Sequence, residues 1–212
     1  MSAEGGKTLR EGLDATVALA AGSLFALLSV LVHWHGTRAL DRRTWRERWF
    51  GGGSRRSRRG VGEVSRALSP LSFAIAGGLA AAWLERDRRR EAAEAILGTA
   101  LLATLADPVL KAPFRRRRPP EMWLAKGSDS SFPSGHSMAA CAVPAVLGYT
   151  LARERLIPPA GGTALAVAPP LVVGATRLYL RKHWATDVLA GWMAGLAIAA
   201  AAAAWYELRR GT

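Results

Sequence analysis

The chain has 212 residues, of which half are hydrophobic, and 29 Lys and Arg stand against 16 Asp and Glu. That length suits one domain over residues 1–212, and a single cysteine, Cys141, excludes an internal disulfide framework. A net charge of +13 would direct a soluble protein toward nucleic acid, but beside long uncharged apolar runs the same arginines suit lipid headgroups, so membrane lipid is the expected partner and nucleic acid is not. The mean hydropathy of only +0.10 conceals those runs, because the basic residues dilute them.

The first run, 15–34, approaches the ~20 residues that a bilayer crossing takes. Its uncharged length exceeds a signal-peptide core, and Val32-His33-Trp34-His35 offers no small-residue cleavage site, so it reads as a retained helix. His33 and His35 fall at the headgroup interface beside Trp34, where amphipathic rings settle. Two histidines one residue apart without a further ligand make a poor metal site. Residues 37–66 read as an arginine-rich loop carrying Gly51-Gly52-Gly53. Its segment 38–50 reads either as an amphipathic stretch lying on the membrane, with Trp45, Trp49 and Phe50 dipping inward, or as a solvated linker.

Five further runs follow at 67–84, 92–110, 137–152, 157–176 and 188–206. Small residues such as Gly77, Gly78, Gly191 and Gly195 allow helix backbones to approach closely in lipid. Pro169-Pro170 withholds two backbone donors and predicts a kink in the fifth run. A chain this short could not cover six apolar helices with soluble surface. The expected architecture is therefore an all-α integral membrane bundle of about six transmembrane helices.

Three fragments in the second half carry the chemistry: Lys111 with Arg118-Pro119, then Pro133-Ser134-Gly135-His136, then Thr176-Arg177 with His183 and Asp187. Three cations, two histidines and a carboxylate are what a tetrahedral oxyanion such as phosphate needs. Their place beside apolar segments puts that phosphate on a lipid. His183 and Asp187 are four residues apart, so on a helical turn they share a face, and the carboxylate can accept the Nδ1 proton and leave Nε2 free. Ser134 and Gly135 precede His136 at an expected helix N-terminus, whose unpaired N–H groups favour an anion. There glycine permits close approach to phosphate, and serine can cap the helix or donate to the anion. The helix order places all three fragments on one side of the membrane. Asp107, four residues before Lys111, reads either as its ion-pair partner or as facing an internal polar cavity, and Arg115, Arg116 and Arg117 read as headgroup contacts. With four histidines, two of them in these fragments, and no carboxylate cluster, neither a metal nor another cofactor is expected.

The pattern of Lys, six residues and Arg-Pro, then Pro-Ser-Gly-His, then a hydroxyl residue and Arg, five residues, His, three residues and Asp resembles the type 2 phosphatidic acid phosphatase (PAP2) superfamily. That superfamily includes bacterial lipid phosphatases and the vanadium haloperoxidases. Thr176 stands where the superfamily usually has serine, which keeps the hydroxyl. The resemblance implies a PAP2/haloperoxidase-like core and metal-independent hydrolysis of a phosphomonoester or diphosphate on a membrane lipid: phosphatidic acid, phosphatidylglycerol phosphate, or a polyprenyl phosphate or diphosphate. In that reading His183 is a nucleophile passing through a phosphohistidine, His136 is the leaving-group acid and Asp187 holds His183. Lys111, Arg118, Ser134, Gly135 and Arg177 bind the phosphate. Two alternatives stand beside it. A noncatalytic binder of anionic lipid would need the cations but not both histidines and Asp187, and a vanadium-dependent haloperoxidase would belong among soluble proteins. The resemblance further implies a multi-pass protein of a bacterial plasma membrane. About two thirds of the Lys and Arg fall on the side of the three fragments, which by the positive-inside rule puts the site toward the cytoplasm, although many bacterial relatives suggest the outer face. Neither the particular lipid nor the oligomeric state is legible.

Overall fold

The computed structural model describes residues 3–46, 53–120 and 130–210, with side chains from Thr16 onward. Those residues form eight helices and no strand: α1 (Ala3–His33), α2 (Arg38–Arg46), α3 (Arg55–Ala67), α4 (Pro70–Arg86), α5 (Arg90–Lys111), α6 (Gly135–Arg153), α7 (Pro159–Tyr179) and α8 (Ala185–Arg210). All six apolar runs are helical within a few residues of their expected ends, except that α1 begins well ahead of its run, at Ala3.

Five stretches are long and apolar enough to cross a membrane: Thr16–His33 of α1, Arg55–Arg86, which contains α4, and then α5, α7 and α8. The expected sixth, α6, falls outside that set for a physical reason. It is the innermost helix, packed against α4, α5, α7 and α8, and most of its residues are buried. A helix that meets protein on nearly all sides need not be as apolar as one that meets lipid. The outer helices instead present Leu27, Leu79, Leu105 and Leu171, all more than half exposed, as a lipid-facing surface.

Close approach between helices rests on small residues. A Cβ on Gly191 would lie 2.5 Å from the Ser134 carbonyl oxygen, and one on Gly195 would lie 2.5 Å from that of Met138, so α8 sits directly on the backbone of α6. Gly148 and Gly162 do the same for α6 and α7, each Cβ position falling within 2.6 Å of the other's carbonyl oxygen. Gly77 packs against Val143, whereas Gly78, expected to act likewise, faces open space. The helix α7 runs on through Pro169-Pro170 without a break.

Residues 37–66 do not form the expected loop. Arg38–Arg46 and Arg55–Ala67 are helices, the second opened by Ser54, whose hydroxyl accepts from the Ser57 N–H at 3.2 Å. The helix α2 does not merely lie on the surface either, since its Asp41 is buried against the start of α8. Trp49 and Phe50 lie outside the described residues, as do Gly51 and Gly52.

At the end of the bundle away from the three fragments, buried Glu207 of α8 takes Arg153 of α6 at 2.5 and 2.8 Å and the Tyr149 hydroxyl at 2.9 Å. This paired and hydrogen-bonded carboxylate ties α6 to α8 there and leaves the opposite end for the polar site.

Candidate active site

The C-terminal ends of α5 and α7 and the N-terminal ends of α6 and α8 converge, bringing the three fragments together as the sequence predicts. The Ser134 N–H donates to the Asp187 carbonyl at 3.0 Å, joining the second fragment to the third. Arg118 Nη1 donates to the Lys182 carbonyl at 3.0 Å and faces Nε2 of His183 at 3.2 Å, joining the first to the third.

The turn between α7 and α8 sets the position of His183. Leu180 ends α7, Arg181 takes the left-handed conformation with φ 52°, and the Lys182 N–H returns to the Arg177 carbonyl at 3.0 Å. This is a Schellman-type close that turns the chain sharply inward. Trp45 of α2 lies against the Arg181 guanidinium, 4.8 Å from ring centroid to Cζ, and so steadies the turn. His183 follows and is buried.

The imidazole is held on both sides. Nδ1 lies 2.9 Å from the Ser131 carbonyl and 3.5 Å from Asp187 Oδ2. The closer partner is an obligate acceptor, so Nδ1 carries the proton and Nε2 carries the lone pair toward Arg118. The sequence placed Asp187 as the direct acceptor; the structure gives that role first to a backbone carbonyl. Burial pushes the His183 pKa down, Asp187 opposes this, and Arg118 and Arg177 add to it. The neutral ring is thereby favoured, with its free nitrogen in a field of cations.

Asp187 sits in the first turn of α8, where a carboxylate also suits the helix terminus. Its Oδ2 accepts the Trp184 N–H at 2.9 Å, in the manner of a capping box, and its Oδ1 takes Arg116 Nη1. Arg116 is therefore not the headgroup contact expected from its place in an arginine run. It bridges Asp187 to Asp41, and its Nη1 also reaches the Thr186 hydroxyl at 2.8 Å. Asp41 accepts the Thr186 N–H at 3.1 Å and the Thr186 hydroxyl as well. The result is a buried network of two carboxylates around one guanidinium, tying α2 and the 113–118 segment to the first turn of α8.

His136 is the second residue of α6 and is partly exposed, with Arg177, Lys182, Lys111 and the His183 ring as its neighbours. Ser134 is fully buried, and its hydroxyl accepts from Ser137 N at 3.4 Å and from Ser137 Oγ at 3.0 Å, so it serves as the helix cap. The Gly135 and His136 N–H groups remain as the first-turn donors of α6. Gly135 lies close against Asp107: a Cβ there would lie 2.1 Å from Asp107 Oδ1, so any larger residue would have to displace that carboxylate. Asp107 pairs with Lys111 at 2.8 Å, as its spacing predicts. Arg177 is buried at the end of α7, with its Nε lacking a hydrogen-bond partner among the described residues. Thr176 bonds the Val173 carbonyl at 2.8 Å and lies 3.2 Å from the Ser65 hydroxyl, so its hydroxyl secures α7 to α3. Lys182, half-buried, is a further cation of the site; burial, together with Arg177, Arg118 and Arg66, pushes its pKa down.

Four participants were not assigned from sequence. Ser131 acts through its backbone, which leaves no residue-type signal. Arg116 was hidden among identical neighbours, and Lys182 entered only the charge count. Asp41, a carboxylate within an arginine-rich stretch, was the one visible clue. Among the described residues no cluster of three or more His, Cys, Asp or Glu is placed to hold a metal.

These motifs on an all-helical membrane bundle define a class, and the PAP2 superfamily profile matches residues 91–210. The chain belongs to that superfamily and is an integral membrane protein. It is 36% identical over 100 residues to phosphatidylglycerophosphatase B of Bacillus subtilis (strain 168), a match covering 43% of this chain and 47% of that protein. Matched this way, the chain spans about half the length of its curated relative. The fold is shared with the crystal structure of the first transmembrane PAP2 type phosphatidylglycerolphosphate phosphatase from Bacillus subtilis: the TM-score is 0.73 at 22% identity, over 88% of this chain and 94% of that one.

Proposed function

We propose that this protein hydrolyses a phosphomonoester or diphosphate on a membrane lipid without a metal, through a phosphohistidine at His183, in a bacterial plasma membrane. The observation that carries the reading is the pairing of His183 Nε2 with Arg118 at 3.2 Å while Nδ1 is anchored to the Ser131 carbonyl. A neutral imidazole whose unprotonated nitrogen points into a cationic pocket is a nucleophile directed at an anion.

Nε2 attacks phosphorus in line with the departing oxygen, forming the N–P bond as the P–O bond breaks. Arg118, Arg177 and Lys111, with the α6 N–H groups, take the charge on the nonbridging oxygens of the five-coordinate transition state. The buried, unpartnered Nε of Arg177 suits one of those oxygens. His136 gives its proton to the leaving oxygen and then accepts one from the water that cleaves the N–P bond. Asp187 stabilises the His183 charge that develops on attack. Ser134 contributes as the cap that orients these donors.

A noncatalytic lipid binder would gain nothing from an anchored nucleophilic tautomer. Phosphate release by the detergent-solubilised chain from a panel of phosphatidic acid, phosphatidylglycerol phosphate and polyprenyl diphosphate tests the reading, and absence of release from all three refutes it. The site is further assigned to the cytoplasmic face, because the arginines of α2 and α3 lie at its end of the bundle. In a Cys141→Ser background, Arg88→Cys should be labelled by an impermeant thiol reagent on intact cells and Arg59→Cys should not; the reverse pattern places the site outside.

A further inference from the structure

Beside the Asp187 network, between the end of α1, α2 and the 113–118 segment, lies a cavity of about 720 Å³. Its walls come from the end of α1, from α2 and from that segment, and include His33, His35, Arg38, Arg42, Arg115 and Arg117. None of Lys111, Arg118, His136, Arg177 or His183 lines it, so it is distinct from the phosphate clamp. The walls it shares with the Asp187 network are Arg116, Asp41 and Trp184.

The charge balance of this cavity is one-sided. Among the described residues its one carboxylate is Asp41, which is engaged with Arg116 and Thr186. Arg38, Arg42, Arg115 and Arg117 have no carboxylate partner among the described residues, and their side chains face a space large enough for a headgroup. All four are exposed, so water screens their mutual repulsion, but together they set forked N–H donors around one concavity, and that geometry matches phosphate oxygens. The depth is equally specific. The apolar span of α1 ends at His33, where the cavity opens, and Trp34 stands 79% exposed beside it. Exposed Leu24, Leu27 and Leu31 of the same helix offer an apolar surface for acyl chains within the span below it.

We propose that this cavity is a second, noncatalytic phosphate-anion site, which holds the headgroup phosphate of an anionic phospholipid at the membrane interface. It does not depend on the proposed hydrolysis, because an enzyme without a nucleophile would retain it. The test uses the full chain carrying His183→Ala, in neutral maltoside detergent, with phosphatidylglycerol added and the retained lipids counted by native mass spectrometry. One phosphatidylglycerol should be held per chain, and Arg38→Gln/Arg42→Gln should weaken its retention by roughly tenfold or more, since each substitution removes a charged phosphate contact. Arg115→Gln, on the opposite wall, should act in the same direction, and Arg38→Lys/Arg42→Lys should restore part of the loss.

Inorganic phosphate, measured by calorimetry on the same proteins, separates the two sources of the anion. Binding of phosphate that depends on Arg38 and Arg42, with lipid retention unchanged, assigns the site to a free anion and overturns the headgroup reading. Equal retention of lipid and equal binding of phosphate in all variants overturns the site itself. In the His183-containing chain, turnover of a water-soluble aryl phosphate should be within about twofold for Arg38→Gln/Arg42→Gln, which reports that the Asp41 network behind it is intact.

Discussion

The Ser131 carbonyl oxygen lies 2.9 Å from Nδ1 of His183, nearer than either oxygen of the carboxylate four residues further on. A backbone acceptor cannot ionise or rotate away, so the imidazole keeps its tautomer even when the side-chain partner is changed. Asp187→Asn should then reduce kcat by roughly 10²- to 10³-fold, through loss of charge stabilisation, and leave activity well above that of His183→Ala. Steady-state kinetics of the two variants side by side check this. Equal loss would mean that Asp187 alone sets the tautomer.

Asp41 touches neither histidine, but it holds Arg116 and Thr186, and these hold the first turn of α8. Asp41→Ala strips a buried charge pair of one member and should cost about 3 kcal/mol of stability. It should lower kcat by about tenfold or more while KM changes little, because the phosphate clamp is untouched. A rise in KM with kcat unchanged would instead place Asp41 in substrate binding.

Burial holds His183 below its ordinary value of 6.5. The unfolded chain therefore binds this proton at a higher pH than the folded chain does. The stability gained by keeping the ring neutral is complete above 6.5 and is lost as pH falls from there through the folded-state value. The detergent-solubilised protein should show a steeper fall in Tm below pH 6.5 than His183→Asn, which has no group to titrate at this position. Parallel Tm profiles would contradict a neutral, buried ring.

The charged groups around Nε2 of His183 are cations, which repel a divalent metal and attract an oxyanion. Turnover should survive excess EDTA and be inhibited by vanadate, which adopts the five-coordinate geometry that Arg118, Arg177 and Lys111 would stabilise. Loss on chelation, restored by a divalent ion, would require a different chemistry.

The sequence made the transmembrane helices readable because length and apolarity report directly on the bilayer, and the Asp107–Lys111 pair was readable because helical spacing alone brings the two together. The same signals missed α3 and left α2 as one of two readings, because their arginines masked two short helices. At the site, residues whose side chains define the motifs were found, and those acting through a backbone carbonyl or a long-range contact were not. Arg116 and Asp41 are separated by 75 residues, and no local pattern links them.

The central claim is that the phosphoryl group passes through His183. Rapid quench of the purified protein with lipid substrate labelled on the transferred phosphorus tests it most directly. A label that is stable in base, labile in acid and located on the peptide containing His183, with none formed by His183→Ala, is the expected result. Sustained release of phosphate by His183→Ala, or label on another residue, would contradict the account.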